Sequence, residues 1–183
     1  MGLTDDPDDR SLARLRALAH PVRLRILSLL TGSALTAAEV ARELGITHAN
    51  ASYHLRHLLA AETIEIAGEE RIRGGAAKRY RYDVTQEVNH AATPLTGGSA
   101  QVSRQRFYLA VADELRRRAP RIKPTRNRAH ATDAELWIEP AVWEELKSTV
   151  DDVSDRLHRA ALAPRTPGAI LVSATYVMFE MRA

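Results

Sequence analysis

One stretch of the chain decides its fold: Thr36-Ala-Ala-Glu-Val-Ala-Arg-Glu-Leu-Gly-Ile-Thr-His-Ala-Asn-Ala-Ser-Tyr-His-Leu-Arg-His-Leu-Leu59. Thr36 and Glu39 have the spacing of a capping box, in which each side chain satisfies a backbone N–H at the start of a helix. Gly45 stands where a helix has to end and the chain turns through positive φ. Thr47 is placed to cap a second helix. The order helix, tight turn, helix predicts a helix-turn-helix, whose second helix enters the major groove of DNA.

The second predicted helix has two unlike faces when its residues are spaced at about 100°. Apolar side chains share one side and are expected to pack inward: Ala51, Leu55, Leu58 and Leu59. The other side and the N-terminal end carry groups that can hydrogen-bond to bases and phosphates. The residues expected to meet DNA are Thr47, His48, Ala49, Asn50, Ser52, Tyr53 and Arg56. The alternative interpretation is an ordinary solvated helix in a small bundle.

A β-hairpin is predicted after the second helix. Ile64-Glu-Ile66 is a short alternating strand, Gly74-Gly75 marks the turn, and Lys78 to Val84 form the return strand. Such a hairpin beside a DNA-reading helix is typical of a wing that holds phosphate or a minor groove. The cations expected to do so are Arg71, Arg73, Lys78 and Arg79. A solvated hairpin is the alternative.

Two runs of residues extend this pattern: Ala19-His-Pro-Val-Arg-Leu-Arg-Ile-Leu27 and Ser52-Tyr-His-Leu-Arg-His-Leu58. With them, residues 11–84 resemble the ArsR-type winged-helix transcription regulators of bacteria. The resemblance implies a homodimer that binds a double-stranded DNA operator and usually represses transcription. The metalloid sensors of that family bind their inducer through cysteines, and this chain has none. That sensing chemistry is therefore not expected here, and the family's His/Asp metal-site pattern on a terminal helix is not evident in this chain either.

Composition limits the remaining classes of protein. The 183 residues suffice for one domain or two small ones. There is no signal-peptide pattern and no apolar run of about 18 residues, so a cytoplasmic protein that does not enter the membrane is expected. Positive charge is concentrated in residues 10–82 and 101–130, where it can meet phosphate. Residues 1–10 are expected to form a disordered acidic tail.

A long helix is predicted after a linker at residues 85–98, which is rich in Pro, Gly and Thr. This connecting and dimerisation helix is expected over residues 99–119, with Ser99 as its cap. Its apolar stripe is predicted to consist of Phe107, Val111 and Leu115. The basic residues from Arg116 to Arg128 form either a second phosphate-binding patch or a solvated helix end that complements the helix dipole.

Residues 131–183 show a strand–helix–strand pattern. Glu135-Leu-Trp-Ile138 is predicted as a short strand, Pro140 opens a helix, and Ile170 to Met181 is predicted as a strand that is apolar on both faces. The helix carries a heptad seam: Trp143, Leu146, Val150, Val153, Leu157 and Ala160. An apolar terminal strand is unstable as a free edge, so the two strands are expected to pair within or between protomers. The predicted fold class is α+β: an N-terminal winged helix-turn-helix domain over 11–84, a helical linker, and a small α/β C-terminal domain for dimerisation, effector binding or both.

The sequence shows no motif of a catalytic site or cofactor site. A phosphate-binding P-loop, a dinucleotide glycine fingerprint, a nucleophile elbow and a zinc-protease helix are all absent. His130, Asp133 and Glu135 could hold an ion, but a polar loop is the favoured interpretation. Four aromatic residues could line an apolar effector pocket, with plain core packing as the favoured alternative: Trp137, Trp143, Tyr176 and Phe179. We therefore expect a non-enzyme without cofactor or metal.

The expected function is a sequence-specific, DNA-binding transcription regulator, a homodimeric repressor relieved by a small effector that is not bound through thiols. The alternative is a non-enzymatic protein-interaction module built on a winged-helix fold. Cations at the wing favour the first interpretation, because an interaction module has no need to keep them there.

Overall fold

The computed structural model describes residues 7–72, 75–82, 97–124 and 130–181. Six α-helices, one short 3₁₀ helix and one three-stranded sheet are found in these residues. In chain order they are α1 (Pro7–Leu18), α2 (Pro21–Gly32), β1 (Leu35–Thr36), α3 (Ala37–Leu44), α4 (His48–Ala60), β2 (Glu65–Ile72), β3 (Gly75–Arg81), α5 (Gly98–Arg118), the 3₁₀ helix (Ala119–Arg121) and α6 (Pro140–Arg159).

The hydrophobic core lies among α2, α3 and α4. Its fully buried large side chains are Ile26, Leu30, Val40, Leu55 and Leu58. They recur at helical spacing, which is the pattern that made these segments amphipathic in the sequence. The inward side predicted for α4 is confirmed, with Leu59 partly buried against the same core. This core fixes α3 and α4 relative to each other and leaves the opposite side of α4 in solvent.

The sheet is antiparallel in the order β1-β3-β2 and flanks the helical core. Tyr80 of β3 pairs with Leu35 on one side and with Ile66 on the other. The register shifts between Ile66 and Gly68, where the β2 strand bulges. Tyr82, directly after β3, is buried and donates its backbone N–H to the carbonyl of Leu30 at 3.3 Å. The hairpin is thereby tied to α2 at its base.

Helix α5 packs against α1 and α2 through a face that overlaps the predicted stripe only in part. The buried residues are Ala100, Ser103, Ala110 and Glu114, whereas Leu115 of the predicted stripe is 52% exposed. Phe107 and Val111 of that stripe are half-buried. The helix begins at Gly98 with Gly97 as its N-cap, so the predicted cap by Ser99 is wrong.

The C-terminal region differs from its prediction in its strands. Helix α6 begins at Pro140 as expected. Within the described residues, neither 135–138 nor 170–181 belongs to a strand, and both segments run outside the sheet. Their apolar side chains are largely exposed, as are Leu146 and Val153 of the heptad seam. A strand needs a partner for its backbone, and a single chain supplies none at this place.

The N-terminal segment is more ordered than the sequence predicted. Helix α1 begins at Pro7, so residues 7–10, expected in a disordered tail, are helical. The rest of that tail and nearly all of the predicted linker at 85–98 lie outside the described residues. The fold class is confirmed as α+β with an N-terminal winged helix-turn-helix, although the described C-terminal part is helical rather than α/β.

Candidate nucleic-acid interface

The turn between α3 and α4 is built by the residues that predicted it. Thr36 caps α3 and accepts a hydrogen bond from the Glu39 N–H at 3.3 Å, while the Glu39 carboxylate accepts from the Thr36 N–H at 2.7 Å. The backbone hydrogen bond from Thr36 is the main cause that lowers the pKa of Glu39 below its ordinary value. Gly45 ends α3 in the left-handed region at φ 65°, and Thr47 accepts from the Asn50 N–H at 3.2 Å. All three predicted helix-terminus signals are confirmed.

The solvent side of α4 is called here the outer face of α4, and it consists of His48, Ala49, Asn50, Tyr53, Arg56 and His57. All six residues are exposed, and Ser52 beside them is half-buried. Within the described residues, the Arg56 guanidinium has no hydrogen bond or ion pair with another side chain. The outer face therefore offers amide, phenol, imidazole and guanidinium groups to a ligand outside the chain. These groups match the donors that read base edges and phosphates.

Four aromatic rings, called here the ring row, connect the outer face of α4 to the start of α2. The His20 and His54 centroids lie 4.7 Å apart, those of His54 and Tyr53 lie 5.2 Å apart, and those of Tyr53 and His57 lie 4.4 Å apart. His54 is buried, and burial, followed by His20, Arg23 and His57, lowers its pKa to about 4. At neutral pH the buried end of the row is therefore uncharged.

The wing, formed by β2 and β3, holds fewer unopposed cations than the sequence suggested. Lys78 lies directly across from Glu69, and Arg81 lies across from Glu65. Arg71 instead faces the uncharged Ala76 and is exposed. Arg73, which was also predicted to contact phosphate, lies outside the described residues. Arg71 is the described wing cation with the least local neutralisation.

Arg79 makes contacts within the protein at the base of the wing. Its guanidinium forms an ion pair with Glu70, approaches Glu39 at 3.5 Å and donates a hydrogen bond to the Ala34 carbonyl oxygen. These partners belong to β2, to α3 and to the residue before β1. Arg79 thus joins the wing to the capping box of α3, and this role is distinct from the predicted contact with phosphate.

Comparison with protein families agrees with this geometry. A family model described as a helix-turn-helix domain matches residues 18–65, which span α2, β1, α3 and α4. The chain carries a helix-turn-helix DNA-binding domain. A search of curated proteins finds no match to the chain. The matched residues include the whole outer face of α4, so the helix-turn-helix domain supports a DNA-binding regulator of transcription.

The helix-turn-helix domain contains two residues whose role the sequence did not reveal, His20 and His54. His54 is 5% exposed and lies on the core side of α4. Its position between Ala51 and Leu58 completes an i, i+3, i+4, i+7 stripe, which was the available signal. The polar side chain obscured that signal. His20 accepts a hydrogen bond from the Val22 N–H at 3.2 Å and so caps α2.

The predicted effector residues are not gathered into an enclosed site by the single chain. Trp137 is 91% exposed, and Tyr176 and Phe179 are each about half exposed. Phe179 stacks on Tyr108 of α5 with centroids 5.0 Å apart. Trp143 is half-buried on α6. A pocket lined by these residues would need cover from another molecule.

Neither a metal-binding cluster nor a membrane-spanning helix is found in the part of the chain that the structure describes. The described residues contain no cluster of three or more His, Asp or Glu side chains suited to a metal ion, and His130 instead contacts Thr132 at 3.2 Å. A membrane-crossing segment is not found among the helices of the described residues, since each is too short or too polar to span a bilayer.

Proposed function

We propose that the chain is a sequence-specific transcription regulator that reads an operator with the outer face of α4. The observation that carries the proposal is the exposed set of Asn50, Tyr53 and Arg56 on a helix whose other side is anchored in the core. Arg can donate two hydrogen bonds to guanine and Asn can form a pair of hydrogen bonds with adenine. The exposed N-terminal residues Thr47 and His48 lie at the end of α4 that meets base edges in this motif.

Phosphate contacts are proposed for the wing, chiefly from Arg71, and also from Arg73, which lies outside the described residues. Lys78 is a weaker candidate because Glu69 lies opposite it in the sheet. The role proposed for Arg79 changes from phosphate binding to holding the wing against α3, since its guanidinium is already paired with carboxylates. Phosphate contacts of this kind set position and affinity, while base contacts set sequence preference.

A homodimer is part of the proposal. Two reading helices have to lie about 34 Å apart to engage two half-sites one helical turn apart, which one chain with one α4 cannot do. The exposed apolar residues of α5 and α6 supply surface for such an assembly, among them Leu109, Leu115 and Leu146. Exposed apolar patches of this kind commonly mark protein interfaces. The mass of the full chain in solution, measured with and without DNA, tests this part directly.

Repression and its relief by a small effector complete the proposal. In this proposal the bound regulator blocks transcription, and an effector lowers occupancy only if it favours a different arrangement of the two reading helices. The effector site is proposed near Trp143 and Phe179. Because Trp143 and Phe179 are only partly covered in one chain, the site would be closed by the second protomer.

The decisive experiment is a titration of the full-length protein, over a series of salt concentrations, with duplexes from the DNA upstream of its own coding sequence and with unrelated duplexes. We expect tighter binding to one upstream duplex and a steep fall of affinity with salt. Equal, weak binding to every duplex would contradict sequence-specific regulation. Absence of all binding would favour the second candidate, a protein-interaction module, which the exposed apolar C-terminal region supports.

A further inference from the structure

We infer that His54 and His20 are positioning residues for DNA recognition, because they form the inner half of the ring row that holds Tyr53 on the outer face of α4. The inference rests on the proposed function, since Tyr53 is one of the side chains proposed to meet DNA. It assigns a role to two histidines that are not among the exposed residues proposed to meet DNA.

Tyr53 requires support because it is exposed. Its side chain is 49% exposed, and an unsupported tyrosine would lose conformational freedom when it orders against DNA. Instead, His54 contacts its ring edge-on at an interplanar angle of 74°, and His57 does so at 65°. Edge-to-face pairs at these separations are favourable for aromatic rings. Tyr53 is thus held between two rings of its own helix before DNA arrives.

The surroundings of His54 indicate that it acts through the contacts of its ring and not through a hydrogen bond at Nδ1. Nδ1 of His54 is buried and has no hydrogen-bond partner among the described residues. An unpaired buried polar atom destabilises a fold, so a simple core position would favour an apolar residue. What the imidazole provides is a flat ring that contacts His20 on one side and Tyr53 on the other.

The inner end of the ring row is fixed by the junction of α1 and α2. His20 accepts its cap hydrogen bond from the Val22 N–H, and its ring is tilted 46° from that of His54. Next to it, Arg23 donates hydrogen bonds to the carbonyls of Arg16 and Ala17 in the last turn of α1. The inner half of the ring row therefore connects this anchored helix junction to Tyr53.

The test compares His54→Leu, which removes the ring, with His54→Phe, which keeps a ring and removes the unpaired Nδ1. The readouts are affinity for the upstream duplex that the unchanged protein prefers, and the nuclear magnetic resonance shifts of the Tyr53 ring protons. We expect His54→Leu to weaken binding roughly three- to tenfold and to move the Tyr53 shifts. We expect His54→Phe to bind like the unchanged protein.

A double-variant cycle separates positioning from a general effect on folding. If His54 acts through Tyr53, the pair Tyr53→Ala with His54→Leu should bind no more weakly than Tyr53→Ala alone. Losses that add in the double variant, or full affinity of His54→Leu, would overturn the inference while leaving the proposed function intact. Failure of the unchanged protein to bind DNA would overturn the proposed function first.

A second variant covers the case in which His54→Leu does not fold. His20→Asn keeps a good helix N-cap while removing the inner ring of the row. We expect it to fold, to shift the Tyr53 ring protons and to lose part of the affinity. Unchanged Tyr53 shifts and unchanged affinity in His20→Asn would overturn the role of the inner ring.

Discussion

The carbonyl oxygen of Leu162 lies against the Cα of Gly32, in the space that a side chain at position 32 would occupy. A Cβ built on Gly32 would come closer than 3.0 Å to that oxygen, which real Cβ atoms essentially never do. Three residues farther along, Arg165 forms an ion pair of 3.2 Å with Glu43 of α3. The segment after α6 therefore returns to the helix-turn-helix domain and is held there by contacts far apart in sequence.

Replacing Gly32 by alanine is expected to loosen this C-terminal segment rather than α2. Alanine favours a helix interior by about 1 kcal/mol over glycine, so at the last residue of α2 it should not weaken the helix, while the new methyl group displaces Leu162. We expect faster amide hydrogen exchange at residues 161–166. Gly98→Ala is the matched control, since a Cβ there meets nothing within 4 Å. Equal exchange at residues 161–166 in both variants would contradict the packing of Leu162 on Gly32.

The helix-turn-helix was predictable from sequence because its signals are local. The capping box of Thr36 and Glu39, the left-handed turn at Gly45 and the cap at Thr47 each depend on residues within four positions, so the pattern contains the whole cause. The inward face of α4 was predictable for the same reason. Once the inward face was assigned, the spacing of about 100° per residue placed the remaining residues on the outer face of α4.

Contacts between distant segments were not predictable in this way. Which face of α5 is buried depends on its packing against α1 and α2, whereas the sequence of α5 alone favoured the apolar stripe, of which Leu115 is exposed. The sequence did not show the carboxylate partners of Arg79, because Glu39 of α3 and Glu70 of β2 come together with it only in the folded protein. The return of Leu162 to Gly32 has no sequence pattern, since it depends on a backbone carbonyl.

Replacing Arg56 by alanine should weaken binding to the preferred duplex without unfolding the protein. Arg56 is exposed and lies away from the buried side of α4, so folding should survive. A lost base contact costs about 1–3 kcal/mol for that sequence, whereas a lost phosphate contact weakens all duplexes alike. Arg106→Ala is the control, because it removes one exposed cation outside the helix-turn-helix domain. The assignment of Arg56 fails if a folded Arg56→Ala protein binds the duplex as tightly as the control.

Removing a wing cation should change the salt dependence of binding in a residue-specific way. Arg71→Ala is expected to reduce the slope of log affinity against log salt by about one per protomer, as loss of one phosphate contact does. Lys78→Ala should change it less, because Glu69 already lies opposite that lysine. Slopes measured in parallel titrations decide the question. A larger effect from Lys78→Ala than from Arg71→Ala would reverse the proposed order.

Arg79→Ala should affect stability more than the salt slope. The lost contacts are two partly exposed ion pairs and one hydrogen bond to the Ala34 carbonyl, for which we expect a fall in the free energy of unfolding of about 1 kcal/mol. Urea denaturation provides the measurement. Arg81→Ala, exposed on the same strand, is the control and should be nearly neutral. An Arg79→Ala protein as stable as the control would mean that these contacts do not hold the wing.

The stability of the protein should fall as the pH drops from about 7 to about 5, with His54 as a main cause. The pKa of His54 in the folded chain is about 4, against an ordinary value of 6.5 that applies when the chain is unfolded. The unfolded chain therefore binds the proton first, so stability contributed by neutral His54 is present above pH 6.5 and is lost as the pH falls toward 4. The loss between pH 7 and pH 5 should be about 1–2 kcal/mol.

Urea denaturation at both pH values measures this loss of stability, and His54→Phe should flatten the difference because phenylalanine binds no proton. His57→Phe, which changes an exposed histidine on the same helix, should leave most of the pH dependence in place. An undiminished pH dependence in His54→Phe would show that the buried imidazole is not the group responsible.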